Sequence, residues 1–75
     1  MTTIAANRPG LAKLRRIAKL EVDREFAAAI HTDPSTVSRV LSGKTAPGAQ
    51  FIAGCIAYFG ADCFEDCFVV RDDAA

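Results

Sequence analysis

Residues 23–44, DREFAAAIHTDPSTVSRVLSGK, decide the fold because they carry the pattern of two short helices joined by a tight turn. Apolar residues recur at helical spacing on both sides of that turn. They are Phe26, Ala27 and Ile30 in the first helix and Val37, Val40 and Leu41 in the second. Asp23 is the expected cap of the first helix. Asp33 can cap the second helix by accepting a backbone N–H bond, and Pro34 suits its first position. Gly43 can adopt φ > 0 and end the second helix. The stretch therefore predicts two helices that pack across the turn at residues 31–33.

The outward face of the second helix carries short hydrogen-bonding side chains and one guanidinium, and it carries no acid. Such a face suits a groove of duplex DNA, where base edges present donors, acceptors and thymine methyl groups. The predicted base contacts are Pro34, Ser35, Thr36, Ser38 and Arg39. Arg39 is the strongest candidate, because a guanidinium can bond O6 and N7 of one guanine together.

At these residues the chain resembles the Cro/repressor-type (XRE-like) helix-turn-helix family. The matching residues are Phe26-Ala27, 35–40 and Gly43-Lys44, and the likeness extends to Pro47 and Phe59-Gly60. His31 stands where the family usually has Gly in the turn, and Leu41 stands where it often has Glu. The resemblance implies a lambda-repressor-like DNA-binding domain, with a size typical of a phage Cro protein, a minimal repressor or an antitoxin. It also implies that the loop after the recognition helix holds a DNA phosphate.

The charge distribution divides the chain into a basic and an acidic part. The 75 residues sum to zero net charge, but residues 1–44 carry eight Lys/Arg and four Asp/Glu. Residues 45–75 carry one Arg and five Asp/Glu. Such asymmetry indicates one face for nucleic acid and another for a different contact. The alternative is a solvated surface on which the charges are merely uneven.

The N-terminal segment predicts a flexible arm over residues 1–7, followed by a helix that Asn7 can cap. Leu11, Leu14, Ile17 and Ala18 line one face of this helix, and basic residues line the opposite face. That basic stripe either contacts phosphates beside the recognition helix or is simply solvated. The predicted phosphate contacts are Lys13, Arg15, Arg16, Lys19, Arg24, Ser42, Lys44 and Thr45.

The C-terminal part predicts a fourth helix over residues 47–59, ended by Gly60, and a short last helix with Asp62 and Glu65 as its capping box. Residues 71–75 are expected to fray. The fourth helix is apolar nearly all round, so it needs cover on more than one side. We expect the surplus apolar residues to form a homodimer interface made of Phe51, Tyr58, Phe64, Phe68 and Val70. The alternative is a monomer in which the last helix folds back and buries them.

No residue pattern indicates an enzyme, a cofactor, a metal or a small-molecule substrate. His31 is interpreted as a turn residue, and Cys63 with Cys67 lacks the two further ligands of a structural zinc site. Gly43-Lys44-Thr45 lacks the first Gly of a phosphate loop, because Ser38 occupies that position. Three unpaired cysteines, no signal peptide and an apolar run at 51–59 too short for a membrane predict a cytoplasmic protein, in a bacterial cell or a phage-infected host.

Together these patterns predict a single domain over residues 1–75, an all-α bundle of four to five short helices. The expected function is sequence-specific binding of double-stranded DNA by a small homodimeric transcriptional regulator. The alternative is a protein-interaction module that uses the helix-turn-helix as a scaffold and binds a partner through the apolar residues 51–70. Arg39 separates the two functions, because only DNA binding requires it.

Overall fold

The computed structural model describes residues 2–72, which form five α-helices, one short 3₁₀ helix and two strands. In chain order the elements are β1 (Thr2–Ala6), α1 (Arg8–Ile17), α2 (Asp23–Ala29), α3 (Pro34–Leu41), α4 (Ala49–Phe59), the 3₁₀ helix (Ala61–Cys63), α5 (Phe64–Cys67) and β2 (Phe68–Asp72). The predicted helices are present, but the all-α prediction is wrong because the chain also contains a sheet.

The sheet joins the two ends of the described chain. β1 and β2 pair antiparallel, from Thr2 opposite Asp72 to Ala6 opposite Phe68. Neither segment has a partner near it in sequence, so each becomes a strand only when the fold brings the other alongside. Residues 2–6 are therefore a strand and not the predicted arm, and residues 71–72 belong to β2 and do not fray. Residues 1 and 73–75, which the same predictions included, lie outside the described residues.

Each of the first three helices ends in the same way, with a left-handed residue just beyond its C-terminus. The residues are Lys19, His31 and Gly43, with φ of 59°, 59° and 82°. After α3 the Gly43 N–H donates to Val40 O at 3.1 Å and the Lys44 N–H donates to Arg39 O at 3.0 Å. This pair of bonds is a Schellman motif, which satisfies the last free carbonyls of the helix. The prediction that Gly43 ends α3 is confirmed.

Two of the predicted helix caps are confirmed and two are wrong. Asn7 Oδ1 accepts from the Gly10 N–H at 3.3 Å, and Asp33 Oδ1 accepts from the Thr36 N–H at 2.7 Å. The 3₁₀ helix and α5 have no side-chain cap, so the predicted capping box with Asp62 does not form. Asp23, the expected cap of α2, is the first residue of that helix, and its carboxylate binds elsewhere.

The core lies between α1, the α2–α3 pair, α4 and the start of β2. Its buried residues are Leu11, Phe26, Ala27, Ile30, Val37, Val40, Phe51, Cys55, Cys67 and Phe68. The Phe51 ring packs edge-on against Phe26 at 6.2 Å and against Phe68 at 6.1 Å. Ile17, predicted to line the core, is 68% exposed because α1 ends there and the chain turns away.

Helix α4 packs against the turn between α2 and α3 and forms a hydrogen bond with it. A Cβ on Gly54 would lie 2.1 Å from the carbonyl oxygen of Ile30, so only glycine allows this close approach. Gln50, one turn earlier on α4, donates from Nε2 to the carbonyl of His31 at 2.6 Å. The turn that sets the angle between α2 and α3 is thus bonded and packed on its inner side.

Candidate nucleic-acid interface

The structure brings the predicted base contacts together on the outward face of α3. Pro34, Ser35, Ser38 and Arg39 are exposed, and Thr36 is half-buried. On the opposite face Val37 and Val40 are buried against the core. The sequence periodicity thus assigned the inner and outer sides of α3 correctly.

Arg39 extends from this face, and its guanidinium forms one weak hydrogen bond within residues 2–72. Its Nη2 lies 3.4 Å from Thr36 Oγ1, one turn earlier on the same helix. No ion pair with another residue in 2–72 engages the guanidinium. Its remaining N–H donors are free to form the two parallel bonds that recognise a guanine.

The two serines nearest the helix ends are partly committed to the protein. Ser35 Oγ donates to the Asp33 carboxylate at 3.0 Å, and Ser42 Oγ donates to the Arg39 carbonyl at 3.1 Å. Each hydroxyl therefore turns only its lone pairs outward. Ser35 can then accept from a base amino group. Ser42 offers no hydrogen to a phosphate in this geometry, which argues against its predicted phosphate contact.

Asp33 directly precedes α3, and its carboxylate is hydrogen-bonded within the first turn of that helix. The hydroxyl of Thr36, then its backbone N–H, then the hydroxyl of Ser35 lower the pKa of Asp33 below 3.8. The carboxylate is thus ionised at neutral pH and fixes the first turn of α3. It orients Ser35 and Thr36 as a by-product of capping the helix.

Arg15 was predicted to contact phosphate, and the structure contradicts this. Its Nε donates to the Leu20 carbonyl at 2.9 Å, while Nη2 donates to the Glu21 carbonyl and to Asp23 Oδ1, both at 2.8 Å. The guanidinium carbon also lies 4.7 Å from the centre of the Phe26 ring. With 11% of its side chain exposed, Arg15 serves the link between α1 and α2.

The other predicted phosphate contacts remain at the surface. The exposed ones are Lys13, Arg16, Lys19, Arg24, Lys44 and Thr45. None of their cations forms an ion pair with a residue in 2–72. Lys44 and Thr45 lie in the loop after α3, and both backbone N–H groups donate to the Arg39 carbonyl. This loop is therefore held to the end of α3.

The predicted dimer interface is only partly at the surface. Phe51 and Phe68 are 1% and 2% exposed, so these two assignments are wrong: both rings complete the core of one chain. Phe64 is half-buried, whereas Tyr58 and Val70 are 48% and 56% exposed. Val69, which was not predicted, is also exposed. The adjacent pair Val69-Val70 was a signal for this exposure. Neighbouring residues of a strand point to opposite faces, so the two valines cannot both face one core.

The cysteines are free thiols in apolar surroundings. Burial is the main cause that raises the pKa of Cys55 to about 12 and that of Cys67 to about 11. Both thiols are therefore protonated at neutral pH and behave as core side chains. Within residues 2–72 no cluster of three or more His, Cys, Asp or Glu is arranged to hold a metal ion.

Comparisons of the chain with protein-family models, curated proteins and solved structures found no match. The functional assignment therefore depends on the residues and on their geometry. Within residues 2–72 no helix has both the length and the apolar character that crossing a membrane requires.

Proposed function

We propose that the chain is a sequence-specific double-stranded DNA-binding protein, a small Cro-like regulator of transcription. The observation that carries the proposal is the outward face of α3, on which Arg39 stands among Pro34, Ser35 and Ser38 with no acid bound to it. A protein of this kind would act in the cytoplasm of a bacterial cell or a phage-infected host, where its DNA lies.

The support beneath α3 is of the kind that base recognition needs. Reading a base edge requires side chains held to within a fraction of an ångström by a rigid scaffold. Here the apolar sides of α2 and α3 are buried against each other and the core. The bond from Gln50 to the His31 carbonyl and the close approach of Gly54 to Ile30 hold the turn between them.

The electrostatics also favour a nucleic acid as the partner. Five exposed cations remain as candidates for phosphate contacts after Arg15 is removed: Lys13, Arg16, Lys19, Arg24 and Lys44. If all five neutralise phosphates, log K should fall with log salt at a slope of roughly −4 to −5 per subunit. The zero net charge of the chain does not oppose this, because the acids are concentrated in residues 45–75.

A selection from random duplex DNA, sequenced after enrichment, tests the proposal directly. We expect a short enriched motif, and a binding constant for that motif that exceeds the constant for scrambled duplex and falls steeply with salt. Absence of enrichment together with a salt slope near zero would contradict DNA binding.

We further propose that the protein binds DNA as a homodimer. One recognition helix reads only a few base pairs, and two half-sites about one helical turn (~34 Å) apart require a two-fold axis. β2 offers a surface for a second copy, because each strand of the two-stranded sheet has one partner strand within residues 2–72. Val69 and Val70 point to opposite faces of β2 and are both exposed, so a second copy that pairs along this strand can cover apolar surface on either face. Tyr58 on α4 is exposed as well. The edge of β2 replaces the predicted interface that included Phe51 and Phe68.

A protein-interaction module is the second candidate function. Its specific support is the same exposed set, Tyr58, Val69 and Val70, which a different protein could cover as well as a second copy. In that case α2 and α3 would be scaffold alone. The two functions differ at Arg39, which DNA recognition requires and partner binding through β2 does not.

A further inference from the structure

An open cleft of about 450 Å³ separates β1 from the loop that follows α3. Val40, Ala46 and Pro47 line it on the side of the recognition helix, and residues 3–6 line it on the side of the sheet. The volume lies in the range of clefts that hold small molecules. None of the residues assigned above to base or dimer contacts lines it.

Two arginines that sequence reasoning did not select line this cleft, namely Arg8 and Arg71. Neither forms an ion pair or a side-chain hydrogen bond with another residue in 2–72. Among residues 2–72, none of those that line the cleft carries a carboxylate, and the other polar side chains in this lining are the hydroxyls of Thr3 and Thr45. Arginine and threonine side chains can all donate hydrogen bonds.

The placement of Arg71 is specific to the fold. Arg71 is the one basic residue in the acidic segment 45–75. The sheet register sets it opposite Thr3, and Thr3 is only five residues before Arg8 in the chain. The pairing of the two strands therefore brings two arginines that are distant in sequence to the lining of one cleft.

We propose that this cleft binds a phosphate-type anion, held by the guanidiniums of Arg8 and Arg71, with the hydroxyls of Thr3 and Thr45 as further donors. Guanidinium groups match the oxygen atoms of a phosphate in a planar, two-bond geometry. The phosphate has two possible sources: a free phosphorylated small molecule, or the backbone of DNA that lies against the loop after α3. The site does not depend on the proposed DNA-binding function, because a free phosphate can occupy it alone.

An occupant of this cleft would contact the end of the recognition helix. Val40 belongs to α3, and Gly43 and Thr45 lie in the loop after it. A free anion bound there would thus border the loop that carries Lys44, one of the candidate phosphate contacts. A DNA phosphate bound there would extend the contact surface from α3 to the sheet.

Titration of the ¹⁵N-labelled full chain with inorganic phosphate, at constant ionic strength with chloride as the balancing anion, tests the site without DNA. We expect saturable shifts in the amides of residues 3–6 and 43–46. The double variant Arg8→Gln/Arg71→Gln should bind at least about tenfold more weakly. Ala53→Glu is the control, because it lowers the net charge by one at an exposed position of α4 that does not line the cleft and should leave the shifts unchanged. Each arginine of the cleft is exposed, so the single variants repeat the test if the double variant does not fold.

Salt-dependent binding to the selected DNA distinguishes the two sources. If DNA supplies the phosphate, the double variant should lower the magnitude of the salt slope by about one, because one phosphate contact is lost. If a free molecule supplies it, the slope stays the same while the phosphate shifts are lost. Shifts that are absent in the wild type, scattered over all its cations, or unchanged in the double variant would overturn the proposal. If the wild type fails to bind any DNA, the proposed function fails, and the phosphate titration still decides the cleft.

Discussion

The guanidinium of Arg15 and the carboxylate of Asp23 lie 2.8 Å apart and join the end of α1 to the first residue of α2. The same guanidinium bonds two backbone carbonyls of the link, those of Leu20 and Glu21. One side chain therefore fixes the path of the chain between the two helices. It does so beside Phe26, whose ring lies under the charge.

Arg15→Ala should lower the free energy of unfolding by ~2–3 kcal/mol, because it removes charge-assisted bonds to two carbonyls and the contact with Phe26. Urea unfolding followed by circular dichroism measures the change. Arg16→Ala is the control. Arg16 is the exposed neighbour of Arg15, so its replacement should change the free energy of unfolding by less than about 0.5 kcal/mol. Equal effects of the two substitutions would show that Arg15 is not the structural residue that its bonds indicate.

His31→Gly should stabilise the protein. His31 has φ of 59°, a region that costs a residue with a Cβ atom more than it costs glycine. We expect a gain of ~0.5–1 kcal/mol in unfolding free energy. Ala12→Gly in the middle of α1 is the opposite case. It should lower the free energy of unfolding by about 1 kcal/mol, because glycine weakens a helix interior. A loss of stability in His31→Gly would mean that the imidazole makes a compensating contact.

Arg39→Ala should weaken binding to the selected DNA by ~1–3 kcal/mol and relax preference at one base pair. Binding to unrelated duplex should hardly change, since a base contact contributes little there. Competition binding with the selected site and single-base variants measures both effects. The comparison variant is Arg16→Ala, which should weaken binding to all DNA sequences alike and reduce the salt slope by about one. Uniform loss for Arg39→Ala would assign that residue to the phosphates.

Val70→Asp should abolish the dimer and leave the monomer folded. Val70 is 56% exposed on β2, so a charge there is tolerated in one chain and disfavoured between two apolar surfaces. Sedimentation of the free protein and of its DNA complex measures the assembly. Ile17→Asp is the matched control, because Ile17 is equally apolar and 68% exposed but lies far from β2 in sequence and outside the sheet. A wild type that remains monomeric on its DNA would refute the dimer.

The sequence predicted the local features of the fold because their causes lie within about four residues. Asn7 and Asp33 cap their helices through backbone N–H groups three residues away, and Gly43 ends α3 with a left-handed turn. The inner and outer sides of α3 followed from its 3.6-residue period in the same way. These features suffice to nominate Arg39 and its neighbours as a recognition surface.

The tertiary structure decided the features whose partners are distant in the chain. β1 and β2 exist because residues 2–6 and 68–72 meet: residues 2–4 and 68–70 are of the β-branched and aromatic types that strands favour, but neither segment has a local partner to pair with. Periodicity shows that Phe51 and Phe68 are apolar, but only packing decides whether they fill the core or face a second copy. Arg15 and Arg16 likewise lie in one basic stripe of the sequence. The chain returns to Arg15 at residues 20–23 and bonds its guanidinium, whereas Arg16 stays exposed. Burial and ion pairing depend on which distant residues of the chain pack against a side chain, and a single stretch of sequence does not contain that information.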